Sequence, residues 1–204
     1  MEKDKLNNIF ALTDKNRVES ITHYGNKNGE DIDVFLIAKG DTEYSCLQHI
    51  DLDITFVGSS HLQEMISGLD PLLTEPILTG RTIYGQTQEI LRKIKQTPPT
   101  LKTTEYLENK SFIFMEWAKI HLVYGNLREA CDCARFSASF CCFAEYYKKN
   151  KKIVTFSELI KQEKCFWALE AKKASKETKN EGKIKKLLEE INLWLTKKAK
   201  RFTM

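Results

Sequence analysis

A chain of 204 residues holds one ample domain or two small ones. Hydrophobic residues at 42%, charged residues at 29% and aromatic residues at 10% exclude a disordered chain, a collagen and a disulfide mini-scaffold. The net charge of +4 conceals an asymmetry: residues 1–87 carry 7 Lys and Arg against 14 Asp and Glu, whereas residues 88–204 carry 25 against 14. An acidic module suits metal ions and a basic one suits phosphates or nucleic acid, so two modules with different tasks are expected.

Apolar runs such as residues 140–144 fall far short of the ~18 residues that a membrane helix needs, and residues 1–8 are charged where a secretory leader would be apolar. Cys131, Cys133, Cys141 and Cys142 crowd one stretch of helical pattern, which is not the spacing of a disulfide framework. The expectation is a soluble, reduced, cytoplasmic protein with no membrane partner.

In chain order, residues 2–12 place Leu6, Ile9, Phe10 and Leu12 as a short amphipathic helix would. Residues 17–24 are β-branched and aromatic and run into Gly25, a strand entering a turn; Asn28-Gly29 marks that turn. Residues 31–38 and 49–57 read as two further strands, residues 61–67 as a short helix, and residues 76–84 as a last strand or extended segment. Beyond Gly85 the pattern turns helical: residues 87–95, 104–124, 126 to about 147, 155 to about 173, and 183–201. Asn126 with Glu129, and Thr155 with Glu158, have the spacing of capping boxes. The class is α+β, with an α/β domain over residues 1–87 and an all-α bundle over residues 88–204.

The stretch that carries chemistry is residues 24–57. Asp31 and Asp33 stand one residue apart on a strand, so both carboxylates point to one face. Asp51 and Asp53 offer a third carboxylate on a later strand; Asp53 is preferred because it opens the apolar run 54–57, and Asp51 reads as an exposed strand charge. Three carboxylates from two strands form a hard oxygen site suited to magnesium, which fills its octahedron with water and substrate phosphate. Two such ions ~3.5–4 Å apart can clamp the attacking and leaving oxygens of a phosphoryl transfer.

This arrangement resembles the nucleotidyltransferase superfamily of minimal nucleotidyltransferases, aminoglycoside nucleotidyltransferases and DNA polymerase beta. The family pattern is a strand ending in Gly-Ser, a loop, Asp-hydrophobic-Asp on the next strand and a third acid on a further one. Here it reads ITHYG, N, KNGE, DIDVFLI and DLDITFV, closed by LTGRTIYG over residues 78–85. The resemblance spans roughly residues 17–85 and implies a small mixed-sheet domain. It further implies an NTP substrate, two Mg²⁺ ions on Asp31, Asp33 and Asp53, phosphate contacts from Gly25 and Asn26, and transfer of an NMP to a hydroxyl with pyrophosphate leaving. That acceptor could be a small molecule, a protein or a tRNA. Two departures stand out: Asn26 replaces the usual Ser, and the loop from Gly25 to Asp31 is several residues short. A repurposed, non-catalytic module that binds a protein or nucleic acid is therefore the alternative.

The helical module is similar, more loosely, to HEPN-like bundles and to the helical domain of aminoglycoside nucleotidyltransferases. His121 has no Arg five to seven positions before it, which disfavours a HEPN ribonuclease. The resemblance implies a helical-domain general base. Glu116 would fill that role with Lys119 as a phosphate contact, Glu129 being a rival; an exposed ion pair is the plainer reading of Glu116. Arg128, Asp132 and Arg135 share a helix face, as a salt-bridge ladder or as phosphate contacts. The charge asymmetry predicts that Lys119, Arg128 or Arg135 serves the triphosphate.

The four clustered cysteines read as small apolar residues, not as zinc ligands, since a helix turns adjacent side chains about 100° apart. Trp117, Trp167 and Trp194 read as bundle core. The basic C-terminal helix is either a nucleic-acid surface or a solvated face over a Leu187/Ile191/Leu195 seam. A homodimer is compatible with all of this.

Overall fold

The computed structural model describes residue 9 and residues 15–25, 32–41, 45–49, 52–163, 165–177 and 180–202. The protein is α+β, a mixed sheet with its helices followed by a helical bundle. It divides into two compact units, Met1–Thr97 and Pro98–Met204.

In the first unit, strands β1 (Val18–Tyr24), β2 (Ile32–Ala38), β3 (Ser45–His49), β4 (Leu52–Gly58) and β5 (Arg81–Gly85) lie in the order β3-β4-β2-β1-β5. The β2–β4 pair is parallel and the other three pairs are antiparallel. The central strands are apolar on both faces because both faces are covered. Val34, Leu36 and Ile54 join Ile9, Val18 and Ile21 in one buried cluster, while Phe35, Ile37, Thr55 and Val57 are buried on the opposite face.

Helices α1 (Leu62–Ser67), α2 (Pro71–Thr79) and α3 (Gln88–Gln96) complete this unit. The expected final strand over residues 76–84 is half wrong. Residues 76–79 end α2, and β5 starts only at Arg81. Asp70 caps α2, accepting a 2.8 Å hydrogen bond from the Leu72 amide, and Pro71 occupies the first turn, where its missing N–H costs nothing. Pro76 forfeits one backbone bond inside α2, but Leu73, Pro76 and Ile77 are buried there. At Gly80 a Cβ would lie 2.8 Å from the His23 carbonyl, so only glycine lets α2 turn into β5 this close to β1. The expected strand over residues 49–57 is likewise two antiparallel strands, with His49 closing β3 opposite Leu52. Helix α3 packs on α1 and α2 and belongs to the first unit, which runs to Thr97.

The second unit comprises α4 (Leu101–Val123), α5 (Leu127–Asn150), α6 (Phe156–Glu163), α7 (Phe166–Glu177) and α8 (Glu181–Phe202). Ala130, Ala134 and Ala138 line the buried face of α5 and allow close helix approach. Buried Ser111 and Ser137 bond reciprocally across α4 and α5, each hydroxyl donating to the other residue's carbonyl at 2.8 and 2.7 Å. Phe114 stacks on Phe140 with centroids 5.3 Å apart. The tryptophans do not form this core. Trp117 is 42% exposed, and Trp167 and Trp194 are half-buried; the interior instead takes Phe140, Phe143 and Tyr147 from α5. On α8 the buried seam is Ile184, Leu188, Ile191 and Leu195, with Leu187 at its edge.

Of the two expected capping boxes one forms. The Thr155 amide donates to the Glu158 carboxylate at 2.8 Å and the Glu158 amide to the Thr155 hydroxyl at 3.3 Å. At the start of α5 the Asn126 side chain makes no capping bond, and the Asn126 backbone N–H donates to the His121 carbonyl at 2.9 Å. Helix α4 gains a box that the sequence reading missed, between Thr100 and Thr103.

Candidate metal-binding site

Strand register builds the site. In the parallel β2–β4 pair, Asp33 is the direct partner of Asp53, so both side chains leave the same face of neighbouring strands. On the other side of β2, Tyr24 is the partner of Asp33, giving a row Tyr24–Asp33–Asp53 across three strands. Both aspartates are half-buried at the N-terminal end of their strands. Each also takes part in an interaction of its own.

Gly25 ends β1 with φ +89 and lies against the Asp33 carboxylate. A Cβ there would overlap one carboxylate oxygen and sit 3.0 Å from the Asp33 Cγ. Glycine is thus required twice, for the left-handed backbone and for the approach to the carboxylate. This contact ties the turn to the acidic site directly. Asp31, Asn26 and Asp51, also singled out in the sequence, lie outside the described residues.

The donor set fits a hard divalent cation. Adjacent strands are ~4.8 Å apart, so two carboxylates in register can offer oxygens to one ion; magnesium takes one or two carboxylates and completes its shell with water and phosphate. Among the described residues no three His, Cys, Asp or Glu side chains gather as a metal cluster.

The candidates of the helical unit are engaged locally. Lys119 Nζ lies 2.6 Å from Glu116 Oε1, one turn apart on the exposed side of α4. Asp132 stands between Arg128 at 4.0 Å and Arg135 at 3.8 Å, and the Arg135 guanidinium lies 4.6 Å over the Phe136 ring. Lys198 of the basic helix pairs with Glu145. Glu129 is exposed and is not held in a capping box.

The cysteines behave as buried apolar groups. Burial, helped by Asp132, pushes the Cys131 and Cys133 thiols up to about 11, and Cys141 higher still. A hydrogen bond with Cys165, together with burial, raises Cys142. Thiols held so far above neutral pH are poor metal ligands, since the ligand is the thiolate.

No protein-family model and no curated protein matches this sequence. Among solved structures the chain is similar to a nucleotidyltransferase-like protein from Exiguobacterium sibiricum 255-15, with 11% identity and a TM-score of 0.42 over 97% of this chain and 75% of that one. A likeness that distant does not carry function. Among the described residues no helix is long and apolar enough to cross a membrane.

Proposed function

We propose that the first unit is a magnesium-dependent nucleotidyl-transfer site that moves an NMP from an NTP to a hydroxyl acceptor. The observation that carries this reading is the pairing of Asp33 with Asp53 across parallel strands, with Gly25 against the Asp33 carboxylate. Asp33 and Asp53, with Asp31 two residues before Asp33 in sequence, would hold two Mg²⁺ ions. Bound there, magnesium supplies Lewis acidity to the phosphoryl oxygens and neutralises charge on the leaving pyrophosphate. Gly25 brings backbone amides next to the carboxylates without a side chain in the way, and Asn26 follows with an amide donor for phosphate. Asp53 would orient the acceptor hydroxyl and take up its proton. The work of the chain is then positioning and charge compensation. Glu116 and Lys119 do not enter this proposal, because each is already bound to the other.

Two measurements test it. Bound NTP with Mg²⁺ at a hundredfold excess over Kd stabilises the folded chain by about 2.7 kcal/mol, and Asp33→Asn or Asp53→Asn removes that gain. α-Labelled NTP incubated with the protein, Mg²⁺ and a cell extract gives a labelled acceptor with the wild type and none with Asp33→Asn. A melting curve indifferent to all four NTPs, with no labelled product, sinks the reading and favours the non-catalytic module, for which the short turn and Asn26 already speak.

A further inference from the structure

Helix α4 carries an apolar stripe that its own bundle does not use. Ile113, Trp117, Ile120 and Tyr124 recur at helical spacing and are 44%, 42%, 51% and 77% exposed, and Phe112 and Val123 flank them at 39% and 83%. The opposite side of the same helix buries Leu107, Phe114, Met115 and Ala118, so the C-terminal half of α4 carries apolar side chains on its exposed side as well as its buried one. The bundle, through α5 and α8, covers the buried side and leaves the second apolar side uncovered. In the middle of the stripe stand Glu116 and Lys119.

We propose that this face of α4 is a homodimer interface in which two copies of α4 pack antiparallel about a two-fold axis near residue 118. Two features of the stripe select a second copy over other partners. The first is self-complementarity, which an isologous interface demands of a single patch. About an axis near residue 118, Glu116 of one copy meets Lys119 of the other. Phe112 then meets Val123, Ile113 meets Tyr124, and Trp117 meets Ile120. Among these eight residues each charge meets its opposite and each apolar side chain an apolar one. The Glu116–Lys119 pair now made within one helix would exchange partners between two.

The second feature is area. At ~150–250 Å² for each large side chain, the exposed parts of the six apolar residues present roughly 600 Å². Glu116 and Lys119, whose side chains are 65% and 43% exposed, bring the patch near the ~800 Å² that a standard interface takes from each partner. An apolar patch of roughly 600 Å² stands at the upper end of what a monomer ordinarily exposes. The inference is independent of the metal site, which lies on other residues of the other unit.

Sedimentation equilibrium of the full chain tests it. At about 100 μM the expected mass is twice the 23.7 kDa of the chain, with dissociation on dilution. Trp117→Lys weakens association by roughly a hundredfold or more, as loss of a central aromatic anchor does. Glu116→Lys and Lys119→Glu each weaken it about tenfold, and the double exchange restores it, because opposite charges again face each other across the axis. Far-UV circular dichroism of every variant shows the wild-type helix content. A monomer at about 100 μM overturns the proposal, as does a dimer that Trp117→Lys leaves intact. Failure of the double exchange to restore association overturns the antiparallel pairing. Slow amide exchange and protection from side-chain labelling over residues 112–124 in a monomer means that the chain covers the face itself, which also overturns it.

Discussion

The sheet of the first unit and the individual helices of the second bring charged side chains together by different rules. In the sheet, Asp33 and Asp53 are twenty residues apart in sequence and become neighbours because β2 and β4 run parallel in one register. In the bundle, Glu116 with Lys119, Asp132 with Arg128 and Arg135, and Thr155 with Glu158 all meet within about one helical turn. A helix brings together residues three and four apart whatever surrounds it, whereas a sheet joins residues only through the pairing of strands. Chemistry that needs several groups at one point, such as a metal site, is therefore reached by register. Charges paired along a helix are mostly consumed by one another.

The sharpest way to break this comparison is to disturb register in the sheet. Gly85 faces Ser20 across the irregular β1–β5 pairing with φ +70, and a Cβ there would sit 2.9 Å from the Ser20 Cα and 3.0 Å from the Glu19 carbonyl carbon. Gly85→Ala is expected to cost about 2–3 kcal/mol in urea denaturation, through strain at positive φ and the displacement of β5. A cost below about 0.5 kcal/mol would show that β5 yields freely and that register there is soft.

A smaller effect, of opposite sign, probes a charge in the bundle that spacing fails to satisfy. Glu108 has an oxygen buried without a hydrogen-bond partner, and burial raises its pKa against the pull of Lys148. An acid whose folded pKa is raised favours the folded state below its unfolded value, and that stability is lost as pH climbs towards the folded pKa. Glu108→Gln should therefore stabilise the protein at pH 7 by about 1 kcal/mol. The gain should fade as pH falls towards about 4.3 and be gone below it, where the carboxyl is neutral in both the folded and unfolded states. Equal melting temperatures at pH 7 would mean that Lys148 compensates the carboxylate fully.

The smallest effects compare two helix starts with the same sequence signal. Thr155→Ala removes a capping hydroxyl that accepts from the Glu158 amide, and should cost about 1 kcal/mol. Asn126→Ala, where the side chain caps nothing, should change stability by no more than a few tenths. The Thr155 bonds also lower the Glu158 pKa. The contribution of that ionised carboxylate is present above its unfolded value and lost as pH falls through the lower, folded one. The gap between Thr155→Ala and wild type should thus narrow on acidification. Equal effects of the two substitutions would show that sequence spacing alone predicts capping.

Much of the architecture was legible in the residues. The strand ending at Ala38, described from Ile32, and the long helices around residues 104–124 and 126–147 follow from periodicity and composition, which are local properties. What misled was equally physical. Residues 76–79 look like strand, yet Asp70 and Pro71 start a helix whose apolar face is buried. The run 49–57 looks like one strand, yet it spans the end of β3 and most of β4. Trp117 looks like core, because composition records that a side chain is large and apolar but not which side of a crowded helix it occupies.

The candidate site divides along the same line. The sequence by itself put Asp31 and Asp33 soon after Gly25 and led to the expectation that both face one way, since alternation along a strand is fixed by the backbone; Asp31 lies outside the described residues. It also singled out Asp53. Only the tertiary structure decided that Asp53 stands beside Asp33, that Tyr24 continues the row, and that Gly25 lies against the carboxylate. Those three facts depend on which strands pair and in what register. Pairing is settled by burying both faces of the whole sheet at once, a balance that no single segment of the chain contains.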